Sequence, residues 1–255
     1  MRVDGYELLE RINRGCELDV YDAWSEERNC HCVLKTLRPE ARGDVAAARR
    51  LRAEGRLLLS LTHPHIARAY ELLTVDGEPV LVLETLGGAT LSWMVREGGQ
   101  RLATDDLCHL GLQLASAIGY LHGKGRLHLD LKPSNVISEA GIARVIDLNL
   151  ARRPGRVPAG YGTAQYLAPE QARGGRVDAA ADVWGIGATL FAAATAKRPF
   201  GGSGAEQLER RAQPLRRLRR GLPKPYADVV DACLEPEPRD RPALTDLEAE
   251  LEALV

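Results

Sequence analysis

The chain has 255 residues, 45% of them hydrophobic and 27% charged, with a formal net charge of −1 at pH 7. That balance excludes a disordered or collagen-like chain and a nucleic-acid binder that works through bulk positive charge. Five cysteines, odd in number and scattered, exclude a disulfide framework, so a reducing, cytoplasmic setting is expected.

Met1-Arg2-Val3-Asp4 leads straight into strand-like sequence rather than an apolar run, so no signal peptide is read. Short runs broken by Gly, Asp or Asn predict strands over 6–11, 20–24, 30–36, 66–73 and 79–84. Between the third and fourth, residues 44–61 carry Ala, Leu and Arg at helical spacing. Gly87-Gly88 then punctuates the chain. Beyond that point the chain is mainly helical: 104–123, 179–196, 225–234, and a last helix with Leu244, Leu247, Leu251 and Leu254 on one stripe. The most apolar stretch, 183–196, is shorter than the roughly 18 residues needed to cross a bilayer and reads as a core helix. The expected class is α+β, with a small β-rich domain at 1–86 and a larger helical one at 87–255.

Lysine is rare. The chain has 29 arginines and only Lys35, Lys124, Lys132, Lys197 and Lys224, so a lysine marks a candidate site for a compact charge rather than a planar fork. Alternation puts Lys35, Val33 and His31 on one face of the third strand and Leu34, Cys32 and Cys30 on the other. Lys35 is expected at an edge facing something anionic. In the first helix Leu51, Glu54 and Leu58 share the apolar face. A carboxylate there needs a cation, and Lys35 is the candidate; taken alone, the pair reads first as structural. Cys30-His31-Cys32 splits its sulfurs and imidazole between faces, which argues against a metal.

The stretch His128-Leu129-Asp130-Leu131-Lys132-Pro133-Ser134-Asn135 packs an acid, a cation and an amide around a proline that forbids regular helix. Twelve residues beyond Asn135, the apolar run Val145-Ile146 ends in Asp147-Leu148-Asn149. Asn135 and Asp147 offer oxygen ligands suited to Mg²⁺, and Asp130 is a candidate general base.

In this order the motifs resemble the protein kinases, over essentially the whole chain. Cys32-Val33-Leu34-Lys35 matches the strand with the phosphate-binding lysine and Glu54 its helical partner. His128 to Asn135 matches the catalytic loop, Asp147-Leu148-Asn149 the metal-binding triplet, and Ala168-Pro169-Glu170 the end of the activation segment. The resemblance pairs Glu170 with Arg241, and Asp182 with the backbone of the catalytic loop. Lys132, two residues after Asp130, together with Thr163, is the serine/threonine pattern. The Ala- and Arg-rich wording is similar to bacterial, particularly actinobacterial, eukaryotic-like kinases.

The resemblance implies a bilobal fold with ATP in the cleft and Mg²⁺ or Mn²⁺ as metal. Val20 and Val33 would cover the adenine, the backbone from Glu84 to Leu86 would bond its edge, and Leu83 would be the gatekeeper. Lys35, held by Glu54, would bind phosphates beneath Gly15. Asp147 and Asn135 would hold the metal, Asp130 would deprotonate a Ser/Thr hydroxyl of a protein substrate, and Lys132 would neutralise the transferring group. No nucleic-acid partner and no membrane segment are expected, and oligomeric state is not legible.

Three departures bear on activity. The glycine-rich loop is reduced to Asn13-Arg14-Gly15-Cys16-Glu17-Leu18-Asp19-Val20, whose acids Glu17 and Asp19 would repel a triphosphate unless they point outward. Asn149 replaces glycine at a turn where Asn tolerates positive φ. Leu129 stands where regulated kinases carry an arginine for an activation-segment phosphate, and no hydroxyl occurs before Tyr161 and Thr163. Activity independent of activation-loop phosphorylation is the resulting expectation. The alternatives are a pseudokinase that binds nucleotide or scaffolds a partner, and a small-molecule phosphotransferase. The cluster of Arg210, Arg211, Arg216, Arg217, Arg219 and Arg220 reads first as a solvated basic face and second as a dock for an acidic substrate or partner, and Gly55 inside the first helix has no sequence-level explanation.

Overall fold

The computed structural model describes residues 2–97, 101–201 and 206–255. The chain divides into two compact units, Met1–Gly87 with Asp147–Asn149, and Gly88–Ile146 with Leu150–Val255.

The first unit is a five-stranded antiparallel sheet with one helix. Its strands are β1 (Tyr6–Arg14), β2 (Leu18–Ser25), β3 (Cys30–Leu37), β4 (Ala69–Val75) and β5 (Glu78–Glu84), in the order β1-β2-β3-β5-β4. Alternation gives one core face: Ala23, Cys32, Leu34, Val80 and Val82 close on Val3. The β3 register sets Lys35 opposite Val20 on one side and Leu81 on the other, and Val33 opposite Leu83. Opposed residues share a face, so these side chains lie on the sheet face away from that core. Strand β3 is therefore central in the sheet, not at an edge as expected for Lys35, and the anionic groups reach Lys35 from outside the sheet.

The expected fourth strand begins late, at Ala69, because the preceding residues find other partners. The Arg68 N–H bonds Glu84 Oε1 at 2.8 Å, and Ile66 N–H bonds the His63 carbonyl at 3.2 Å. Helix α1 (Val45–Leu59) starts where Asp44 accepts from the N–H groups of Ala46 and Ala47. Gly55 now has a reason. A Cβ there would lie 2.9 Å from Leu72 Cδ1 and 3.2 Å from Leu81 Cδ1, so its absence lets α1 settle onto β4 and β5.

The second unit opens with β6 (Ala89–Thr90), α2 (Leu91–Arg96) and α3 (Thr104–Gly123), followed by the hairpin β7 (Val136–Glu139) and β8 (Ile142–Val145). It continues through β9 (Gly155–Val157), α4 (Pro169–Arg173), β10 (Gly175–Val177) and α5 (Ala179–Thr195). The remaining helices are α6 (Glu206–Glu209), α7 (Leu215–Leu218), α8 (Lys224–Cys233) and α9 (Leu244–Glu252). Strands β6, β7 and β8 form one small sheet, and β9 pairs with β10 in a separate ribbon. Helix α5 is buried from Ala181 to Thr195, as a helix apolar on all sides must be. Among the described residues, no helix is long and apolar enough to cross a membrane.

Packing of α5 against α8 depends on a missing side chain. A Cβ at Gly187 would fall 2.5 Å from the Cβ of Cys233, an atom fixed by its own backbone. Gly187→Ala should therefore lower the unfolding free energy by about 1–3 kcal/mol, as overpacking does. Urea denaturation checks it, and an unchanged midpoint would refute it. At Gly55 the nearest atoms are methyl ends that can shift, so the same substitution there should cost less than at Gly187.

Candidate active site

In the first unit, β3 and α1 hold a buried lysine between two carboxylates. Lys35 Nζ lies 2.7 Å from Glu54 Oε1 and 3.3 Å from Asp147 Oδ1. Lys35 is only 8% exposed and Glu54 2%. Glu54 Oε1 also accepts from the Leu148 N–H at 3.3 Å, while Glu54 Oε2 is buried without a partner. Burial pushes the Glu54 carboxyl up to about 7, the Lys35 charge pulling the other way. The two carboxylates overcome burial at Lys35 and hold its ammonium above the usual lysine range.

Asp147 is followed by a tight turn, closed by the Asn149 N–H on Asp147 Oδ1 at 3.1 Å. Asn149 is not among the residues with positive φ. The turn therefore rests on that side-chain hydrogen bond, and the left-handed geometry expected of Asn149 is not used. Leu148 is buried.

The phosphate-loop hairpin also departs from expectation. Asn13 stays within β1, opposite Val20, and only Gly15, Cys16 and Glu17 form the connection. Arg38, just beyond β3, donates Nη1 to the carbonyls of Gly15 and Cys16, each at 3.1 Å. Glu17 is ion-paired with Arg50 of α1. Asp19 is buried, with Arg11 and Arg14 guanidinium nitrogens at 3.9 and 4.0 Å. Both acids feared to repel a triphosphate thus have cationic neighbours within the unit. Arg38 and Arg50 were invisible as special in a sequence with 29 arginines. Glu84 uses its side chain on Arg68, and Leu86 lies half-buried two residues past β5.

In the second unit, residues 128–132 leave regular structure before a 3₁₀ turn at Pro133–Asn135, and the stretch is fixed from beneath by α5. Asp182, at 1% exposure, accepts from the N–H groups of His128 at 2.8 Å and Leu129 at 2.7 Å, and its Oδ2 meets His122 Nε2 at 2.8 Å. Leu129 is buried and carries a φ of 63°, a conformation costly for a side chain of its size. Its carbonyl is taken by Gln171 Nε2 at 2.8 Å, which also bonds the Tyr161 carbonyl at 2.7 Å. Sequence reasoning missed Gln171; its position directly after Ala168-Pro169-Glu170 is the only hint.

Lys132 Nζ bridges Asp130 Oδ2 at 2.7 Å and Thr163 Oγ1 at 2.5 Å. Asn135 donates Nδ2 to the Asp130 carbonyl at 3.0 Å and to Asp130 Oδ2 at 3.3 Å, neither of which uses its side-chain oxygen. Asp130 Oδ1 is buried and unpartnered. The structure thus groups Lys35, Glu54 and Asp147 in one unit and Asp130, Lys132 and Asn135 in the other. Each unit offers a hard oxygen donor of the kind Mg²⁺ takes, the Asp147 carboxylate in one and the Asn135 amide oxygen in the other.

Comparison with known proteins gives the family. The profile described as protein kinase domain matches residues 6–250, and the chain belongs to that family. It is a eukaryotic-like serine/threonine kinase catalytic domain, similar to serine/threonine-protein kinase PkaA of Streptomyces coelicolor, with 35% identity over 84% of this chain and 41% of that protein. Serine/threonine-protein kinase PknA of Mycobacterium tuberculosis is 30% identical over 92% of this chain and 58% of its own length. The chain thus spans less than two thirds of these curated relatives.

Proposed function

We propose that the chain transfers the γ-phosphoryl group of ATP to a serine or threonine hydroxyl of a protein. The observation that carries this is Asp130: Oδ2 is held by Lys132 and Asn135, and Oδ1 is buried with its acceptor capacity unused. In this reading a substrate hydroxyl donates its proton to Oδ1 as its oxygen attacks the γ-phosphorus and ADP leaves. Lys132 neutralises charge on the transferring group, and Lys35, aligned by Glu54, binds the α- and β-phosphates. Val20 and Val33, on the sheet face that carries Lys35, cover the adenine, whose edge meets the backbone of Glu84 to Leu86. Asp147 and Asn135 would hold Mg²⁺, which when bound neutralises phosphate charge.

The activation segment supports activity without phosphorylation. Leu129 offers no cation, and the first two hydroxyls after the Asp147 turn are both engaged. Tyr161 donates to the Leu150 carbonyl at 3.2 Å, and Thr163 accepts from Lys132. The rival reading, a nucleotide-binding pseudokinase, rested on the poor glycine loop, and the pairing of Glu17 and Asp19 with arginines weakens it.

Intact-mass measurement of phosphate incorporation with ATP and Mg²⁺ tests both points, into the chain itself and a generic Ser/Thr substrate. Asp130→Ala should lower the rate by about 10²–10⁴-fold. Nucleotide binding without incorporation in the wild type would favour the pseudokinase. A stoichiometric phosphate at Tyr161 or Thr163 that is required for turnover would refute the phosphorylation-independent reading.

A further inference from the structure

The ribbon of β9 and β10 brings two arginines face to face. Arg156 is opposite Arg176, with Gly155 opposite Val177 and Val157 opposite Gly175. Val157 and Val177 turn inward and are buried, while Arg156 and Arg176 turn outward and are exposed. Side chains opposed in this way begin roughly 5 Å apart, and like charges at that spacing repel. Among the described residues no carboxylate pairs with either, nor with Arg153 and Arg173, which flank the strands in sequence and are also exposed.

Other arginines do have carboxylate partners: Arg14 pairs with Glu40, Arg50 with Glu17, Arg210 with Glu206 and Arg211 with Glu235. Residues 148–177 hold five arginines and one acid, Glu170, which Arg241 takes. The ribbon is also firmly built into its unit. Leu127 and Arg152 exchange backbone hydrogen bonds of 2.7 and 3.0 Å, joining the segment before β9 to the start of the catalytic loop. The Gly160 N–H bonds the Gln171 carbonyl at 2.9 Å, and the Gln171 side chain holds Leu129.

We propose that this ribbon docks an acidic segment of the protein substrate, with Glu or Asp carboxylates seated between Arg156 and Arg176. The inference rests on the kinase reading and narrows its substrate class. Charge complementarity selects the occupant: a carboxylate between two guanidiniums replaces their repulsion with charge-assisted hydrogen bonds. The surface lies on the same segment as Thr163, whose hydroxyl shares Lys132 with Asp130, so a docked segment is tethered to the catalytic loop.

The test is fluorescence anisotropy on the full chain, without nucleotide, using a short labelled peptide with one serine among glutamates. Binding should weaken with added salt. Arg156→Gln/Arg176→Gln should weaken it at least about tenfold, with a melting temperature no lower than wild type because a repulsion is removed. Arg216→Gln/Arg217→Gln/Arg220→Gln, which neutralises exposed arginines elsewhere in the unit, should bind as wild type does.

The proposal falls if the wild type does not bind the peptide, or if the ribbon variant binds as well as wild type. It also falls if a glutamine-for-glutamate peptide binds equally, or if the loss appears in the Arg216 triple variant instead. Tighter binding of a single-stranded oligo-dT of matched charge would assign the ribbon to nucleic acid and overturn it. Asp130→Ala should bind the peptide normally and transfer no phosphate, whereas a wild-type chain that docks the peptide but transfers no phosphate refutes the kinase reading alone.

Discussion

Arg241→Ala should cost about 3–5 kcal/mol of folding stability, the range for removing one partner of a buried ion pair. The Arg241 side chain is fully buried, and its Nη1 and Nη2 reach Glu170 at 2.7 and 2.8 Å. The remaining hydrogen-bonding capacity goes to the carbonyls of Ala180 at 2.9 Å, Glu235 at 2.8 Å and Pro236 at 3.0 Å. Its guanidinium carbon sits 5.0 Å from the centre of the Trp184 ring, which stacks on Phe200. Truncation therefore strands a carboxylate and three carbonyls together. Arg241→Ala/Glu170→Gln should recover only part of the loss, since the carbonyls stay unpaired. Denaturant titration of the two variants checks this, and full recovery would show that the carbonyl contacts contribute nothing.

Lys35→Met should lower phosphate transfer by about a hundredfold or more, as loss of one positioned cation does, and should destabilise the fold in a pH-dependent way. Glu54 has a folded value of about 7 against an ordinary 4.5. A group whose proton is held more tightly in the folded state stabilises fully below its unfolded pKa. That contribution is lost as pH rises through the folded value, so in the wild type it fades between 4.5 and about 7. Removing Lys35 takes away the charge that pulls Glu54 down and extends the window upward. The stability loss in Lys35→Met should thus be larger at about pH 8 than at about pH 5. Lys35→Met/Glu54→Gln should regain stability and lose the pH dependence without regaining activity. A pH-independent loss in the single variant would mean that Glu54 is not the titrating group.

The elements that sequence patterning located well were those with their signals within a few residues. Helix α3 occupies the predicted 104–123, and α1 starts beside its Asp44 cap. Where the outcome depended on a remote partner, local reading failed. The fourth strand starts at Ala69 because Glu84 takes the Arg68 N–H, and Asn149 keeps negative φ because Asp147 closes its turn. The charges of the phosphate hairpin likewise have partners that no local reading contains: Glu17 pairs with Arg50, 33 residues away.

By itself the sequence determined the fold class, the family and the chemical types at the candidate site. Periodicity is a local property, and a catalytic loop keeps its acid, cation and amide within six residues, so both survive in one dimension. Only tertiary structure decided how those groups are held and compensated. It added Asp147 to the expected pair of Lys35 and Glu54, gave Leu129 a positive φ above Asp182, filled the gap at Gly55 with Leu72 and Leu81, and opposed Arg156 to Arg176. Burial and charge compensation depend on distances between residues far apart in the chain, and a pattern of neighbours does not contain those distances.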